Sequence, residues 1–241
     1  MNRAKLRWTA RCIVVAALVP VGFVAVRWGT GNFGAVLPGL VYRSAQPSPK
    51  SLAATIKSKG IKTILNLRGA NPEQAWYSGE AQATLSAGAT QVDFPMSSDQ
   101  WLSREQARAL LDVLDSCEYP LMIHCEWGAE RTGLVAAIRA LLRDGSTLAD
   151  GRREFSAYYM FLPIKDGRVM RGHLDLYERW LADRGEAHAP DRLRIWLTRE
   201  YRPGSPSREH WECNPYPLKV VTKPRSAAVV SWGANPCRTT R

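Results

Sequence analysis

The sequence has few residues with which to hold a metal ion or a disulfide framework. Five cysteines and four histidines are spread over 241 residues, and no two of them have the spacing of a metal-ligand pair. We therefore expect neither a metal nor another cofactor. Cys213 and Cys237, near the C-terminal end, can pair with each other only in an oxidising compartment.

Acidic residues are absent from the first 30 residues, which contain five basic ones. Residues 202–241 have seven basic and two acidic residues, whereas residues 31–201 are nearly neutral, with 21 and 20. The net charge of +11 thus comes almost entirely from the two ends. This distribution argues against a nucleic-acid partner and favours a role in topology, solubility or contact with an anionic membrane surface.

Long hydrophobic runs are lacking as well, except for one that extends from Cys12 to Val26 and ends before Arg27-Trp28. As a helix, this run spans about 22 Å, less than the ~30 Å hydrocarbon core of a bilayer. It suits either the core of a cleaved secretory signal or a short retained anchor whose flanking residues reach the interface.

Gly29-Thr30-Gly31 is a poor signal-cleavage site, so we favour a membrane anchor formed by residues 12–28. The basic flank is heavier on the N-terminal side, which predicts a cytoplasmic N-terminus and an exported domain. If the segment is cleaved, the protein is secreted instead.

The composition divides the chain into three parts. Residues 1–34 are a signal or anchor segment with a linker, residues 35–201 are a folded domain, and residues 202–241 are a basic, proline-rich tail expected to be poorly ordered. In the domain, strand patterns at 36–43, 61–67, 89–94 and 120–123 alternate with helical patterns at 49–59, 72–87, from Ser103, at 134–142, 147–159 and 171–184, and from Pro190. This alternation predicts an α/β fold, with a mostly parallel sheet of four or five strands flanked by helices.

The most informative segment extends from His124 to Gly133 and reads His-Cys-Glu-Trp-Gly-Ala-Glu-Arg-Thr-Gly. It lies between an apolar strand and an apolar helix, where backbone N–H groups point outward and favour an anion. Cys125 at the start of this turn is expected to act as a thiolate. Arg131, six residues later, can return to the same anion as a bidentate donor.

This segment resembles the signature loop of the protein tyrosine phosphatase superfamily, His-Cys-x5-Arg-Thr/Ser. Only Cys125 among the five cysteines has an arginine six positions later. Residues 42–47 and 61–68 resemble stretches of the atypical dual-specificity phosphatases of plants, fungi and bacteria, and the end of the loop is most similar to the bacterial members. The resemblance covers residues 36–200 and implies a cysteine-phosphatase fold that acts without a metal.

The resemblance also implies the role of each loop residue. Cys125 attacks phosphorus and forms a phosphocysteine intermediate, Arg131 stabilises the transition state, Thr132 eases release of the thiolate, and His124 orders the loop. The residues that bind the phosphate oxygens, chiefly through backbone N–H groups, are Glu126, Trp127, Gly128, Ala129, Glu130 and Arg131.

Superfamily members use an aspartate on a separate loop as the general acid. Asp99 precedes the Ser103 helix, where dual-specificity members carry this acid, and we favour it. Asp93, at the end of the third strand, is the alternative, either as the acid or as a carboxylate that stabilises the fold. Arg43 and Arg68 are expected to be structural ion-pair partners.

The side chains of the loop suggest the substrate class. Glu126 and Glu130 should repel a polyanion and tolerate a single phosphate monoester, while Trp127 either stacks on a phenyl ring or packs on the domain. We therefore expect a phosphorylated protein, with phosphotyrosine and possible phosphoserine or phosphothreonine, or a small phosphate monoester. The alternatives are an inositol- or lipid-phosphate phosphatase and, in another class, a non-catalytic phosphate-binding module.

Overall fold

The computed structural model describes Trp8, residues 18–204, and the backbone of residues 218–221 and 230–232. The strands are β1 (Gly34–Leu37), β2 (Val41–Ser44), β3 (Thr63–Asn66), β4 (Thr90–Asp93), β5 (Leu121–His124), β6 (Leu218–Val221) and β7 (Val230–Trp232). The helices are α1 (described over 18–29), α2 (Pro49–Lys59), α3 (Ala75–Ser86), α4 (Arg104–Ser116), α5 (Glu130–Leu141), α6 (Leu148–Arg153), α7 (Asp166–Ala182) and α8 (Pro190–Ile195). A 3-10 turn covers Ala157–Tyr159, and a π-helical turn covers Trp196–Glu200.

All described strands belong to one sheet with the order β1-β2-β5-β3-β4-β6-β7. The four inner strands β2, β5, β3 and β4 are parallel, and β1 is antiparallel to β2. The predicted α/β fold with a mostly parallel sheet flanked by helices is therefore confirmed for the first five strands. Its centre is β5, the strand that leads into the signature loop.

Hydrophobic residues alternate between the two faces of this central strand. Leu121 and Ile123 contribute to the larger core, which they share with α4, α5, α7 and α8. Met122 contributes to a smaller core on the opposite face, together with Leu52 and Ile56 of α2. Because both faces are covered, the inner strands are buried, as expected for a parallel sheet.

Several local signals in the sequence are confirmed. The side chain of Ser48 caps α2, Pro49 is its first residue, and Gly60 ends it in the left-handed conformation. Ser103 and Gln106 form the predicted capping box of α4.

Two of the predicted segments are each divided into two elements in the structure. The strand expected over 36–43 is a hairpin of β1 and β2, because Gly39 turns the chain with φ +77°. The helix expected over 147–159 ends at Arg153, and a separate 3-10 turn follows. This break brings Phe155 and Tyr159 to buried positions.

The tail also contains strands that the sequence pattern did not predict. β6 pairs antiparallel with β4, and β7 pairs antiparallel with β6. The outer edge of β4 has backbone N–H and C=O groups that a further strand satisfies. Cys213 and Cys237 lie outside the described residues.

Packing of the domain begins before residue 35, the predicted boundary. Arg27, in the last turn of α1, and Asn32 are both buried. The guanidinium of Arg27 donates to Asn32 Oδ1 at 2.8 Å and to the carbonyl of Phe33 at 3.1 Å. Residues 12–17 of the apolar run lie outside the described part of the chain. Within the described residues, we find no helix with the length and apolar character needed to cross a membrane.

Candidate active site

The signature loop follows the carboxyl end of β5, in the middle of the parallel strands. His124, the last residue of β5, is in register with Ser44 of β2 and Asn66 of β3. The loop then passes into α5, which begins at Glu130. The N–H groups of the first helical turn have no acceptor within their own helix, so they are available to an anion at this edge of the sheet.

Cys125 lies at the base of the loop and is 1% exposed. The backbone N–H of Gly128 donates to Cys125 Sγ at 3.2 Å, which is the kind of donor that a thiolate requires. Gly128 has φ +69°, and a Cβ atom at this position would lie 2.5 Å from the backbone nitrogen of Ala45. The shape of the loop therefore depends on a glycine at position 128.

The loop after β4 reaches the same edge of the sheet. Arg131 Nη1 donates to the carbonyl of Met96 at 3.3 Å, which places this loop beside the arginine. Asp99 is exposed and accepts a hydrogen bond from the hydroxyl of Ser97. Ser98 Oγ donates to Asp166 Oδ2 at 2.9 Å and thereby ties the loop to the start of α7. Asp99 is thus an exposed carboxyl group on a loop that is held beside Arg131.

Asp93, the alternative acid, has a different environment. Its side chain is buried, and its Oδ1 accepts from Asn66 Nδ2 at 2.9 Å and from Gln91 Nε2 at 3.0 Å. Its Oδ2 accepts from the hydroxyl of Tyr77. Burial raises the pKa of the Asp93 carboxyl, although these hydrogen bonds act in the opposite direction. These three partners are all buried residues of the fold, as expected for the alternative in which Asp93 stabilises the fold.

His124 is held by a partner that the sequence did not reveal. Its Nε2 lies 3.2 Å from Glu80 Oε1, and its Nδ1 lies 3.4 Å from the carbonyl oxygen of Cys125. Glu80 Oε2 accepts from Gln46 Nε2, and Gln46 Oε1 accepts from Arg68 Nη1 at 2.9 Å. Burial alone would raise the pKa of Glu80, but the opposing effects of His124, Gln46 and Arg68 outweigh it and lower this pKa.

Arg43 confirms the expectation of a structural ion pair. It is fully buried, and its Nη1 donates to Glu154 Oε2 at 2.7 Å. Its Nη2 donates to the carbonyl oxygen of Gly128, also at 2.7 Å, and so supports the signature loop from below. Arg68 is placed differently: its guanidinium stacks on the ring of Trp76, 3.6 Å from the centroid.

The remaining loop residues differ in exposure. Thr132 is buried, and its hydroxyl has no hydrogen-bond partner among the described residues. Trp127 is 48% exposed, and its ring lies edge-on to Trp28 with 5.0 Å between centroids. Its carbonyl accepts from Asn32 Nδ2 at 3.1 Å. Trp127 therefore packs on the domain and also forms part of the rim of the site.

The carboxylates of the loop lie toward solvent. Glu126 is exposed, and Glu130, at the start of α5, is partly buried. In the part of the chain that the structure describes, no three His, Cys, Asp or Glu side chains are grouped so that they could hold a metal ion.

A comparison of the chain with models of known protein families identifies its family. A family model described as the tyrosine phosphatase family matches residues 29–158, more than half of the chain. A cysteine-to-serine variant of TpbA from P. aeruginosa, solved with pTyr, is 22% identical, with a TM-score of 0.49; the alignment covers 70% of this chain and 92% of that one. The core catalytic domain of the PP-IP phosphatase SIW14 from S. cerevisiae, solved with citrate, is 23% identical, with a TM-score of 0.47 and coverages of 64% and 93%. No curated protein matches the chain. The chain belongs to the tyrosine phosphatase family and is a hydrolase that acts on phosphate esters.

Proposed function

We propose that the protein hydrolyses phosphate monoesters, with phosphotyrosine of proteins as the preferred class, through a phosphocysteine intermediate on Cys125. The observation that supports this proposal is the grouping of three elements. The sulfur of Cys125 accepts a hydrogen bond from the loop N–H of Gly128. Arg131 lies in the first turn of α5, which follows the loop, and donates to the carbonyl of Met96, three residues before Asp99.

The reaction follows from this grouping in two steps. In the first, the Cys125 thiolate attacks phosphorus, the S–P bond forms, and the P–O bond to the alcohol breaks as Asp99 gives its proton to the leaving oxygen. The loop N–H groups and Arg131 stabilise the charge on the phosphoryl oxygens. In the second, Asp99 takes a proton from water, the water oxygen bonds to phosphorus, and the S–P bond breaks to return the thiolate. The unpartnered hydroxyl of Thr132 is available to the sulfur at this point.

The charges at the mouth favour a single phosphate group. Burial lowers the pKa of Arg68, and the electrostatic effects of Glu126 and Arg131 on it oppose each other. The positive charge of Arg68 is therefore partly balanced by Glu126, and Glu130 adds a further negative charge at the loop. A compact polyanion would meet these carboxylates, whereas an aryl monoester would place only its phosphate in the loop.

Arg68 also favours a second candidate, an inositol- or lipid-phosphate phosphatase. It supplies a cation outside the signature loop, stacked on Trp76 and bound to Gln46. A cation in this position can bind a second phosphate group. We rank this function below the first because Glu126 offsets that charge.

The test is phosphate release by the full chain under reducing conditions from p-nitrophenyl phosphate, a phosphotyrosine peptide, a phosphoserine peptide and an inositol polyphosphate. We expect turnover of the aryl substrates that disappears in Cys125→Ser and persists in the matched control Cys117→Ser. Preference for the inositol polyphosphate would favour the second candidate. Binding of phosphate without turnover of any substrate by the folded protein would favour a non-catalytic module.

A further inference from the structure

Five exposed apolar side chains form a surface beside the candidate site. This apolar rim consists of Trp28, Trp127, Tyr158, Leu162 and Ile164, each between 48% and 61% exposed. Large apolar side chains grouped in this way on a protein surface usually mark a place of contact with another body. We propose that the apolar rim inserts into the interfacial region of a lipid bilayer and holds the mouth of the active site at the membrane surface.

Contacts between elements place the rim at the mouth. The ring of Trp28, at the end of α1, meets Trp127 of the signature loop, with 5.0 Å between centroids. Tyr158, in the 3-10 turn, contacts Phe23 of α1, with 6.2 Å between centroids. The segment that carries Leu162 and Ile164 continues directly into α7, whose Asp166 binds Ser98 of the acid loop. The rim thus extends from α1 past the signature loop to the acid loop.

The helix α1, which carries Trp28 of the apolar rim, indicates that the rim contacts a lipid bilayer. α1 continues the apolar run that begins at Cys12, and its Val19, Val21 and Val26 are between 62% and 65% exposed. Val19 and Val26 lie on one face of the helix and Val21 lies on nearly the opposite face, and a helix with apolar residues on opposite faces favours an apolar surrounding. The run ends at the rim, so an apolar phase around α1 would also reach Trp28 and the side chains next to it.

The chemistry of the rim suits the boundary between hydrocarbon and water. Tryptophan and tyrosine are enriched at this boundary, where their rings lie at the level of the headgroups. Lys165 is exposed next to Ile164, and the apolar run is preceded by four basic residues, Arg3, Lys5, Arg7 and Arg11. These cations favour a bilayer that contains anionic lipids.

The connection between α1 and the domain is rigid enough to fix the orientation of the mouth. Arg27 is buried under the ring of Tyr158, 4.3 Å from its centroid, and also binds Asn32. Asn32 in turn donates to the carbonyl of Trp127. A bilayer that holds α1 would therefore hold the signature loop at its surface. Given the proposed function, phosphate monoesters at the membrane surface are the favoured substrates.

The first test is a footprint that does not depend on activity. The full chain is placed in vesicles of phosphatidylcholine and phosphatidylglycerol and oxidised with hydroxyl radicals, and oxidation of each residue is measured by mass spectrometry. Leu162 and Ile164 are compared with Leu40 and Ile195, which are also exposed and have the same chemistry. Leu40 precedes β2, at the end of the sheet opposite to the signature loop.

We expect oxidation of Leu162 and Ile164 to be several-fold lower than that of Leu40 and Ile195. Equal oxidation of the two pairs would overturn the proposal, as would failure of the chain to remain with the vesicles. Protection accompanied by a cross-link between the rims of two chains would place a second copy there, and would also overturn it.

The second test measures activity with a substrate held in the bilayer. Leu162→Ser/Ile164→Ser is expected to lower turnover of a phospholipid-linked aryl phosphate several-fold and to leave turnover of soluble p-nitrophenyl phosphate unchanged. Leu40→Ser should change neither. An equal loss on both substrates would contradict the proposal. If no substrate is turned over at all, the proposed function is wrong. The footprint still tests whether the apolar rim inserts into the bilayer.

Discussion

The imidazole of His124 and the carboxylate of Glu80 face each other inside the protein, with 3.2 Å between Nε2 and Oε1 and no solvent exposure of either side chain. Through Gln46, the same carboxylate is connected to Arg68 near the mouth of the site. One buried carboxylate thus supports the residue before the nucleophile and a cation outside the loop. Removal of the charge of Glu80 should change both the stability of the protein and the dependence of that stability on pH.

Glu80→Gln is predicted to lower the free energy of unfolding near neutral pH by about 3 kcal/mol, because it breaks a buried, hydrogen-bonded pair. The lowered pKa of Glu80 means that its carboxylate stabilises the folded state above 4.5, the ordinary value, and that this contribution is lost as the pH falls below it. The difference between wild type and variant should therefore shrink with acidification, measured by urea unfolding at several pH values.

Glu73→Gln is the matched control, since Glu73 is exposed just before α3, and it should have little effect at any pH. Asp93 and Glu154 have raised pKa values, so their contributions change with pH in the opposite direction. Glu154 is common to both proteins, so its contribution cancels in the difference. The charge of Glu80 is one cause of the raised pKa of Asp93, so the contribution of Asp93 cancels only in part. A difference that stays constant with pH would show that Glu80 acts by shape alone.

Gly128→Ala is predicted to reduce turnover by about 100-fold or more, since a displacement of roughly 1 Å at a reacting group has an effect of that size. The added Cβ would lie 2.5 Å from Ala45 N and 2.6 Å from the backbone of Ser44, so the loop has to move. Turnover of p-nitrophenyl phosphate is the measurement.

Gly88→Ala controls for backbone strain alone. Gly88 has φ +79°, yet a Cβ there meets nothing within 4 Å. It should lower stability by about 1–2 kcal/mol, because a residue other than glycine is strained in this conformation, and leave turnover unchanged. Equal losses of turnover in the two variants would refute the explanation by steric contact.

Asp99→Asn and Asp93→Asn are predicted to have opposite phenotypes. Asp99 is exposed, so its variant should unfold like wild type but lose about 10²- to 10⁴-fold in turnover of phenyl phosphate, which needs a protonated leaving group. The loss should be smaller with p-nitrophenyl phosphate, whose leaving group is stable as an anion.

Asp93→Asn should instead lower the free energy of unfolding by about 1–3 kcal/mol, because the amide cannot accept from Tyr77, Asn66 and Gln91 at once. Thermal unfolding and the leaving-group dependence of turnover separate the two roles. A strong dependence on the leaving group in Asp93→Asn alone would reverse the assignment of the acid.

The sequence was sufficient to predict that two residues act together wherever the two are close together in the chain. Ser103 and Gln106 are three residues apart, and Cys125 and Arg131 are six apart, so both pairs can be recognised within a turn or a loop. Glu80 is 44 residues from His124. The helix α3 has no hydrophobic pattern that would show that Glu80 lies on its buried face. The contact of Asn32 with Trp127 spans 95 residues and depends on how α1 meets the domain. Such partners are determined by packing between elements, which local patterns do not encode.

Arg43→Met is predicted to separate stability from activity. It leaves Glu154 buried without its partner, which should lower the free energy of unfolding by about 3–5 kcal/mol. It also removes the donor to the carbonyl of Gly128, so turnover should fall. Adding Glu154→Gln removes the buried charge and should recover part of the stability without restoring that donor.

Unfolding and turnover of both variants are measured. Arg194→Met is the control for an exposed pair, and its loss is expected to lower the free energy of unfolding by less than about 1 kcal/mol. Turnover that recovers in step with stability would mean that Arg43 supports the fold but has no separate effect on the loop.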